Sequence, residues 1–273
     1  MNKSDRVELN GIKVYPFTSF KEIINFADKE KGLLVAVNAE KVTKATDETR
    51  SIINNNIGYA DGAGVKVAMK RKGYPDVIRI PGCELWLEII KEYQSEKSFY
   101  LVGGKQEVID ETIAKLKTEY PNINILGYRN GYIKTEKEHN ELIEDIVKKR
   151  PDVVFIAMGS PKQEMLMSEL MERHKAIYQG LGGSFDVYTG RVKRAPKWWR
   201  DHNLEFLYRF LKQPQRYKRE YYRLKFLFWM TISLSKKEHM LLTLIIKLKE
   251  PFIESGDGRI IIIVIISIVV DSF

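Results

Sequence analysis

Short apolar runs alternate along this chain with longer segments in which apolar residues recur at helical spacing. The apolar runs are bounded by turn residues and predict buried strands over residues 33–38, 99–102, 122–126, 152–158 and 176–181. The amphipathic segments predict helices over residues 19–29, 45–56, 64–71, 83–93, 106–119, 137–149 and 161–174. Strands that alternate with helices in this way predict an α/β fold with a mostly parallel sheet flanked by helices.

Residues with special turn chemistry follow four of the predicted strands, at positions 38–40, 103–105, 159–161 and 182–184. Ligands of open α/β sheets bind at the carboxyl ends of the strands, so we expect the functional site at this edge. At one of these ends Gly159 permits a tight turn, Ser160 can cap a helix, and Pro161 suits a first helical position. With Lys162 beside it, such a helix N-terminus predicts an anion site, most simply for phosphate.

Asp61 is the strongest candidate for chemistry, because it stands between a short apolar run and a predicted helix and is flanked by glycines. Gly62 and Gly64 would let a ligand come close to the backbone. The carboxylate could then act as a general base on a hydroxyl group. The alternative is that Asp61 caps the helix that is predicted to begin near Gly64.

Further candidates each have a structural alternative. The functional prediction for Asn38 is that it offers a ligand both a donor and an acceptor; the alternative is an Asx turn. For Arg79 the prediction is phosphate binding, and the alternative is a surface charge. For Gln163 the prediction is a contact with a ligand, and the alternative is a capping box with Ser160. The loops at Gly103 and Gly104 and at Gly183 and Asp186 are compatible with nucleotide binding, but a full dinucleotide fingerprint is absent.

The charge of the chain is concentrated near its C-terminal end. Residues 191–225 contain twelve lysines and arginines against three carboxylates, an excess equal to the net charge of +9 of the whole chain. Two helices are predicted here, over residues 197–211 and 213–234, with aromatic residues interleaved among the arginines. This pattern favours a membrane interface or another anionic partner; the alternative is a basic, solvated face packed on the main domain.

These observations divide the chain into an α/β core over residues 1–194, a basic amphipathic helical appendage over 195–250, and an apolar tail over 251–273. The isoleucine- and valine-rich run at 259–270 is shorter than the roughly 20 residues that a spanning helix needs. Its role is not predicted. Cys83 is the single cysteine, so no internal disulfide forms, which suits a reducing compartment. No two aspartates are two positions apart, and the four histidines lack metal-ligand spacing, so we expect no metal and no cofactor.

An ordered set of motifs gives a family resemblance. The set includes Val-Ala-Val-Asn-Ala-Glu-Lys at 35–41, Tyr-Ala-Asp-Gly at 59–62, Leu-Val-Gly-Gly-Lys at 101–105, Ala-Met-Gly-Ser-Pro-Lys-Gln-Glu at 157–164, Gly-Gly-Ser-Phe-Asp at 182–186, Val-Lys-Arg-Ala-Pro at 192–196 and Leu-Glu-Phe-Leu-Tyr-Arg-Phe at 204–210. Over about residues 8 to 230 the chain resembles the WecG/TagA/CpsF glycosyltransferases, family 26, and looks most like the WecG branch. The resemblance implies a Rossmann-like fold.

The resemblance also implies an inverting, metal-independent reaction at the cytoplasmic face of the bacterial inner membrane, with a peripheral protein. N-acetyl-D-mannosaminuronic acid would pass from UDP to undecaprenyl-diphosphate-linked GlcNAc, as in enterobacterial common antigen synthesis. Asp61 matches the family's general base, and Asn38, Arg79 and Gln163 match residues of the sugar-nucleotide pocket. The expected pocket residues also include Gly103, Gly104, Ser160, Lys162, Gly183 and Asp186; the expected diphosphate and lipid contacts are Lys193, Arg194, Arg209, Arg216 and Arg219. Members form dimers or trimers, which leaves a homo-oligomer open.

The sequence leaves open both the sugar donor and the class of protein. The teichoic-acid branch has a threonine where this chain has Ala36. Either that residue is dispensable or the donor differs between the branches, and we favour a different donor. UDP-N-acetylmannosamine, or another hexose donor used with a polyprenyl diphosphate acceptor, is the alternative within the class. A nucleic-acid-binding module that uses the basic aromatic segment is the alternative of another class, although no nucleic-acid motif is present. A catalytically silent nucleotide binder is the third.

Overall fold

A computed structural model describes residues 5–202, 204–212 and 217–232. A short antiparallel hairpin of β1 (Val7–Leu9) and β2 (Ile12–Val14) precedes the main sheet. The main sheet contains β3 (Gly32–Val37), β4 (Ile57–Ala60), β5 (Ser98–Gly103), β6 (Asn124–Arg129), β7 (Val153–Ala157) and β8 (Ile177–Gly180). Its six strands are all parallel, in the order β4-β3-β8-β7-β5-β6. All the carboxyl ends therefore lie at one edge.

The helices that follow the strands are α1 (Phe20–Glu30), α2 (Ala39–Lys44), α3 (Asp47–Asn55), α4 (Ala63–Arg71), α5 (Gly82–Tyr93), α6 (Gln106–Glu119), α7 (Glu136–Lys149), α8 (Lys162–Arg173) and α9 (Ser184–Tyr188). Side-chain caps begin several of them: Ser19 accepts from the N–H of Glu22, and Thr135 forms a capping box with Glu138. Helices α1, α5, α6 and α9 contact one another on one face of the sheet, and α3, α7 and α8 form a second group.

On the face of the sheet that α5 covers, the core is formed by alternate residues of the strands. Phe155 and Ala157 of β7 and Phe99 of β5 belong to one buried apolar cluster, into which α5 inserts Trp86. The indole ring of Trp86 meets the rings of Phe155, Phe185 and Tyr188 edge to face, at centroid distances of 5.1–5.7 Å. This packing fixes α5, and with it the N-terminus of α5, against the sheet.

The described residues form two compact units, one of residues 5–38 with 45–194 and one that combines residues 39–44 with the described part of the chain from 195 onward. In the second unit the described helices are α2, α10 (Lys197–Asp201), α11 (Glu205–Lys212) and α12 (Tyr217–Ile232). Helix α2 packs against α12, where the Lys44 ammonium lies 5.4 Å from the centre of the Tyr222 ring. Phe210 of α11 is buried in a small apolar cluster with Phe206, Leu207 and Leu224.

The α/β fold predicted from the sequence is confirmed, and the predicted strands and helices of the core are present with ends shifted by a few residues. Some elements differ. The helix predicted over 197–211 is two helices, α10 and α11, because the chain turns after Asp201, where the His202 N–H donates to the carbonyl oxygen of Trp198. Strand β4, the hairpin, α2 and α9 were not predicted. The apolar tail over 251–273 lies outside the described residues.

Candidate active site

The carboxyl edge of β3 and β4 brings Asn38 and Asp61 together. Val37 pairs with Ala60 in the parallel register, so the next residue of each strand leaves the sheet at the same level. The backbone N–H groups of Asp61 and Gly62 both donate to the carbonyl oxygen of Val37, at 3.1 and 3.2 Å. Asn38 and Asp61 are both half-buried. Asn38 and Asp61 thus leave adjacent strands at the same level, at the carboxyl end of the sheet.

Asp61 is held in place by residues that precede and begin α5. Its Oδ1 accepts a 2.9 Å hydrogen bond from the backbone N–H of Gly82, the first residue of that helix. Nε of Arg79 donates to the backbone carbonyl oxygen of Asp61 at 2.8 Å. The carboxylate therefore sits at the positive end of a helix dipole, and the half-buried guanidinium of Arg79 holds the backbone of the same residue.

The alternative interpretation, that Asp61 caps the helix predicted to begin near Gly64, is wrong. Helix α4 begins at Ala63, its N-cap is Gly62, and no side chain caps it. The helix that Asp61 contacts is α5, which starts 21 residues later, a long-range contact that local sequence rules do not foresee. The surface-charge alternative for Arg79 is also wrong, because its side chain is half-buried against Asp61.

A buried polar layer lies beneath Asp61. The Tyr59 hydroxyl is fully buried; its burial and the nearby Asp61 charge raise the pKa of Tyr59 well above 10, so the phenol stays protonated. Nε2 of Gln179, on β8, donates to the Tyr59 hydroxyl at 3.4 Å and to the carbonyl oxygen of Gly82 at 3.2 Å. Neither residue was among the predicted site residues, although a glutamine inside an apolar strand was a visible signal.

The N-terminus of α8 is built differently from the prediction. The helix begins at Lys162, its N-cap is Pro161, and no side chain caps it, so Ser160 does not cap this helix and forms no capping box with Gln163. Ser160 stands one position before the N-cap, because the helix begins one residue later than predicted. Ser160 and Lys162 are exposed.

Gln163 is buried and joins α8 to the turn after β8. Its Oε1 accepts from the N–H of Gly182 at 2.9 Å, while its Nε2 donates to Oε1 of the buried Glu164 at 3.1 Å. A Cβ atom on Gly180 would lie 2.4 Å from Nε2 of Gln163. The glutamine therefore shapes the loop that carries Gly182 and Gly183. Glu164, like Tyr59 and Gln179, is a buried polar residue that was not among the predicted site residues.

The glycines at this edge fall into two kinds. Gly103 has φ +141°, and a Cβ atom there would lie 2.4 Å from the carbonyl oxygen of Ala157, so close packing of β5 on β7 requires glycine. Gly104 donates to that same oxygen at 3.2 Å. At Gly183, which has a negative φ, a Cβ atom would meet nothing within 4 Å. Packing does not explain Gly183, which leaves room for a ligand.

The predicted basic contacts are distributed over both units. Arg194 forms an ion pair with Glu84, in the first turn of α5, at 2.7 Å, whereas Lys193 is exposed. Asp186 is half-buried in α9. In the second unit the guanidinium of Arg209 pairs with the buried carboxylate of Glu205. Arg216 lies outside the described residues, and of Arg219 only its place in α12 is described.

The part of the chain that the structure describes contains neither a metal-ligand cluster nor a membrane-spanning helix. Within residues 5–202, 204–212 and 217–232, no three histidine, cysteine, aspartate or glutamate side chains are grouped so that they could hold a metal ion. Among these same residues, no helix combines the length and the apolar composition needed to cross a membrane.

The fold and the site together define an α/β enzyme with a carboxylate, an arginine and open glycine loops at one edge of its sheet. Residues 7–240 match the sequence pattern of the WecG/TagA/CpsF glycosyl transferase family. The match covers most of the chain, so the chain belongs to this family and is a glycosyltransferase. The resemblance seen in the sequence motifs is confirmed at the level of the family.

Proposed function

We propose that this protein transfers N-acetyl-D-mannosaminuronic acid from UDP to undecaprenyl-diphosphate-linked GlcNAc, in the synthesis of enterobacterial common antigen or a related surface polysaccharide. The observation that carries the proposal is the placement of Asp61 at the carboxyl edge, bonded to the N–H of Gly82 and beside Arg79. Membership of the glycosyltransferase family supplies the reaction class. The acceptor and the uronic acid donor follow the motifs that look most like the WecG branch.

In the proposed reaction Asp61 is the general base. Its carboxylate takes the proton from the attacking hydroxyl of the acceptor sugar while the hydroxyl oxygen bonds to the anomeric carbon. The bond from that carbon to UDP breaks on the opposite side, which inverts the configuration, and UDP leaves with its electron pair. The bond from the Gly82 N–H fixes the orientation of the base before the acceptor arrives, which lowers the entropic cost of reaching the transition state.

The departing UDP gains negative charge, and the proposal assigns its stabilisation to arginines and helix N-termini, without a metal. Arg79 lies within the α/β unit, and Arg194 forms an ion pair with Glu84 in the first turn of α5. The arginines expected from the appendage, Arg209, Arg216 and Arg219, would meet the acceptor diphosphate. Open space at Gly159 and Gly183, where a Cβ atom would meet nothing within 4 Å, suits the approach of a donor to the backbone.

Ala36 supports a donor different from that of the teichoic-acid branch. A Cβ atom on Gly82 would lie 3.8 Å from the Cβ of Ala36 and 3.1 Å from the Tyr59 hydroxyl, so Ala36 belongs to the wall next to Asp61. A threonine would add a hydroxyl group to that wall. Without this hydroxyl group the wall is smaller and less polar, and it offers a donor sugar one hydrogen-bonding group fewer.

The proposed place of action is the cytoplasmic face of the inner membrane, with the protein bound at the surface. The helical unit exposes large apolar side chains among its basic residues: Trp198 is 57% exposed, Leu211 50% and Tyr221 45%. Exposed apolar and aromatic side chains among basic residues suit an interface of anionic lipids, where the polyprenyl acceptor resides.

A transfer assay tests the proposal. The protein is incubated with a short-chain, soluble GlcNAc-diphospho-lipid and, in separate reactions, with UDP-N-acetylmannosaminuronic acid, UDP-N-acetylmannosamine, UDP-GlcNAc and UDP-glucose. The expected result is a disaccharide-diphospho-lipid from the uronic acid donor, at a rate that EDTA does not change. Preferential use of UDP-N-acetylmannosamine would move the assignment to the teichoic-acid type of donor. Salt-sensitive binding of an oligonucleotide, with no transfer from any donor, would contradict the proposal altogether.

A further inference from the structure

Gln179 is a buried amide in a part of the sheet that is otherwise apolar. It is 0% exposed, and its register partners are Leu34 on β3 and Phe155 on β7. Both partners belong to the apolar cluster that α5 covers. The next polar group on this face is the Tyr59 hydroxyl, to which Gln179 donates. A polar side chain at the centre of a parallel sheet needs a physical reason.

The contacts of Gln179 lead to Asp61 through a single residue, Gly82. The carbonyl oxygen of Gly82 accepts from Nε2 of Gln179 at 3.2 Å, and the N–H of Gly82 donates to Oδ1 of Asp61 at 2.9 Å. Gly82 is therefore held through its carbonyl oxygen by the side chain of Gln179, and through its N–H it holds the carboxylate of Asp61. Tyr59 supports the same point, since a Cβ atom on Gly82 would lie 3.1 Å from its hydroxyl oxygen.

Stability alone does not account for a glutamine at this position. Oε1 of Gln179 is buried and has no hydrogen-bond partner among the described residues. An unsatisfied buried polar atom costs about 1–3 kcal/mol. A methionine has similar volume and no such cost, so an apolar replacement would fill the space at least as favourably.

We infer that Gln179 is a positioning residue for glycosyl transfer: through the carbonyl group of Gly82 and the Tyr59 hydroxyl it fixes the first turn of α5, and thereby the carboxylate of Asp61. The inference rests on the proposed function, in which Asp61 is the base. Gln179 itself touches neither substrate, because it has no exposed surface. Its effect is on alignment, which belongs to the chemical step rather than to donor binding.

The test is Gln179→Met, which removes the amide and keeps the volume. Misalignment of a catalytic group by an ångström costs up to about 100-fold in rate, so we expect kcat to fall by about 10-fold or more, with KM for the UDP-sugar within about twofold of wild type. The matched control is Tyr178→Phe on the same strand, which removes the 2.8 Å bond from the Tyr178 hydroxyl to the carbonyl oxygen of His174. The control should lower the melting temperature and leave kcat unchanged.

Two further variants keep the test decisive. If Gln179→Met does not fold by circular dichroism, Tyr59→Phe removes the other polar member and should lower kcat in the same direction, again with KM unchanged. In an Asp61→Asn background, Gln179→Met should cause no further loss, because the residue acts through Asp61.

The outcomes separate this inference from the proposed function. A folded Gln179→Met protein with wild-type kcat, or an equal loss in the Asp61→Asn background, would overturn the positioning role while the base assignment stands. Full transfer by Asp61→Asn alone would instead overturn the proposed function.

Discussion

The backbone N–H of Gly82 donates a 2.9 Å hydrogen bond to the carboxylate of Asp61, across 21 residues of sequence. Gly82 begins α5, whose far side is fixed by Trp86 in the main apolar cluster. The position of Asp61 therefore depends on the packing of a helix that follows it in the chain. A packed core that determines the geometry of a polar group at its edge explains how a carboxylate on a loop can be held rigidly.

The two kinds of glycine at the carboxyl edge predict opposite effects of alanine. Gly103→Ala should destabilise the fold by about 2–4 kcal/mol, because of its positive φ and the contact with the carbonyl oxygen of Ala157. Gly183→Ala should change the free energy of unfolding by less than about 0.5 kcal/mol, since its Cβ atom meets nothing. Urea unfolding measures both.

If Gly183 lines the donor pocket, the added methyl group should raise KM for the UDP-sugar by about tenfold. An unchanged KM in the stable Gly183→Ala protein would remove this residue from the pocket.

The amino edge of the sheet predicts a pH-dependent stability. Burial alone would raise the pKa of Asp152, but bonds to its Oδ2 from the backbone and hydroxyl of Ser98, at 2.9 and 2.7 Å, with the charges of Lys97 and Lys31, lower the pKa below 3.8. A lowered pKa contributes stability that is present above about pH 4 and is lost as the pH falls through the folded-state value. At pH 7, Asp152→Asn should lower the melting temperature by about 2–4 °C.

The difference between Asp152→Asn and wild type should shrink as the pH falls below 3.8. Asp76→Asn, at an exposed carboxylate, is the control and should melt like wild type throughout. A deficit of Asp152→Asn that persists undiminished at pH 2.5 would show that the charge of Asp152 is not its cause.

The proposed membrane contact predicts a selective effect of Trp198. Trp198→Ala should reduce binding to vesicles rich in phosphatidylglycerol by about tenfold, because an exposed indole and the neighbouring basic residues favour an anionic interface. Tyr132→Ala is the matched control, since Tyr132 lies in the other unit and is also 57% exposed. Equal losses from the two variants in a vesicle flotation assay would contradict an interface centred on the helical unit.

Removal of residues 197–273 should leave a folded α/β core with little transfer activity, because the arginines proposed for the acceptor diphosphate are gone. The structure adds a second consequence: α2 loses α12, against which it packs. Amide exchange should therefore accelerate in residues 39–44, directly after Asn38, and remain slow in the sheet. Unchanged turnover of this truncated protein would contradict a role for the helical unit in the reaction.

Strands and helices that bury whole faces were predictable from the sequence, because periodicity reports burial directly. Strand β4 was not predicted. Its four residues, Ile57–Ala60, follow three asparagines and contain Gly58, so they form too short an apolar run to indicate a strand. The break between α10 and α11 was also missed, because the apolar and aromatic pattern continues through the turn. In short elements, tertiary contacts decide what the local pattern leaves open.

The candidate residues Asp61, Asn38 and Arg79 could be named from turn chemistry and family motifs. Their partners could not, because the bonds from Gly82 to Asp61 and from Gly182 to Gln163 span 21 and 19 residues. The same limit explains why Ser160 was predicted to cap α8, and why Gln179, correctly predicted within a strand, was not named as a site residue. Local rules identify a reactive group, whereas the packing of distant elements determines how it is held.

Single-turnover kinetics of Asp61→Asn test whether Asp61 is the base of a UDP-sugar transfer. With UDP-N-acetylmannosaminuronic acid and the soluble GlcNAc-diphospho-lipid, we expect the rate of the chemical step to fall by about 10²–10⁴-fold, since an amide cannot accept the proton. Asp76→Asn, with its exposed carboxylate, should react at the wild-type rate. A folded Asp61→Asn protein that transfers the sugar at the rate of Asp76→Asn would show that Asp61 is not the base.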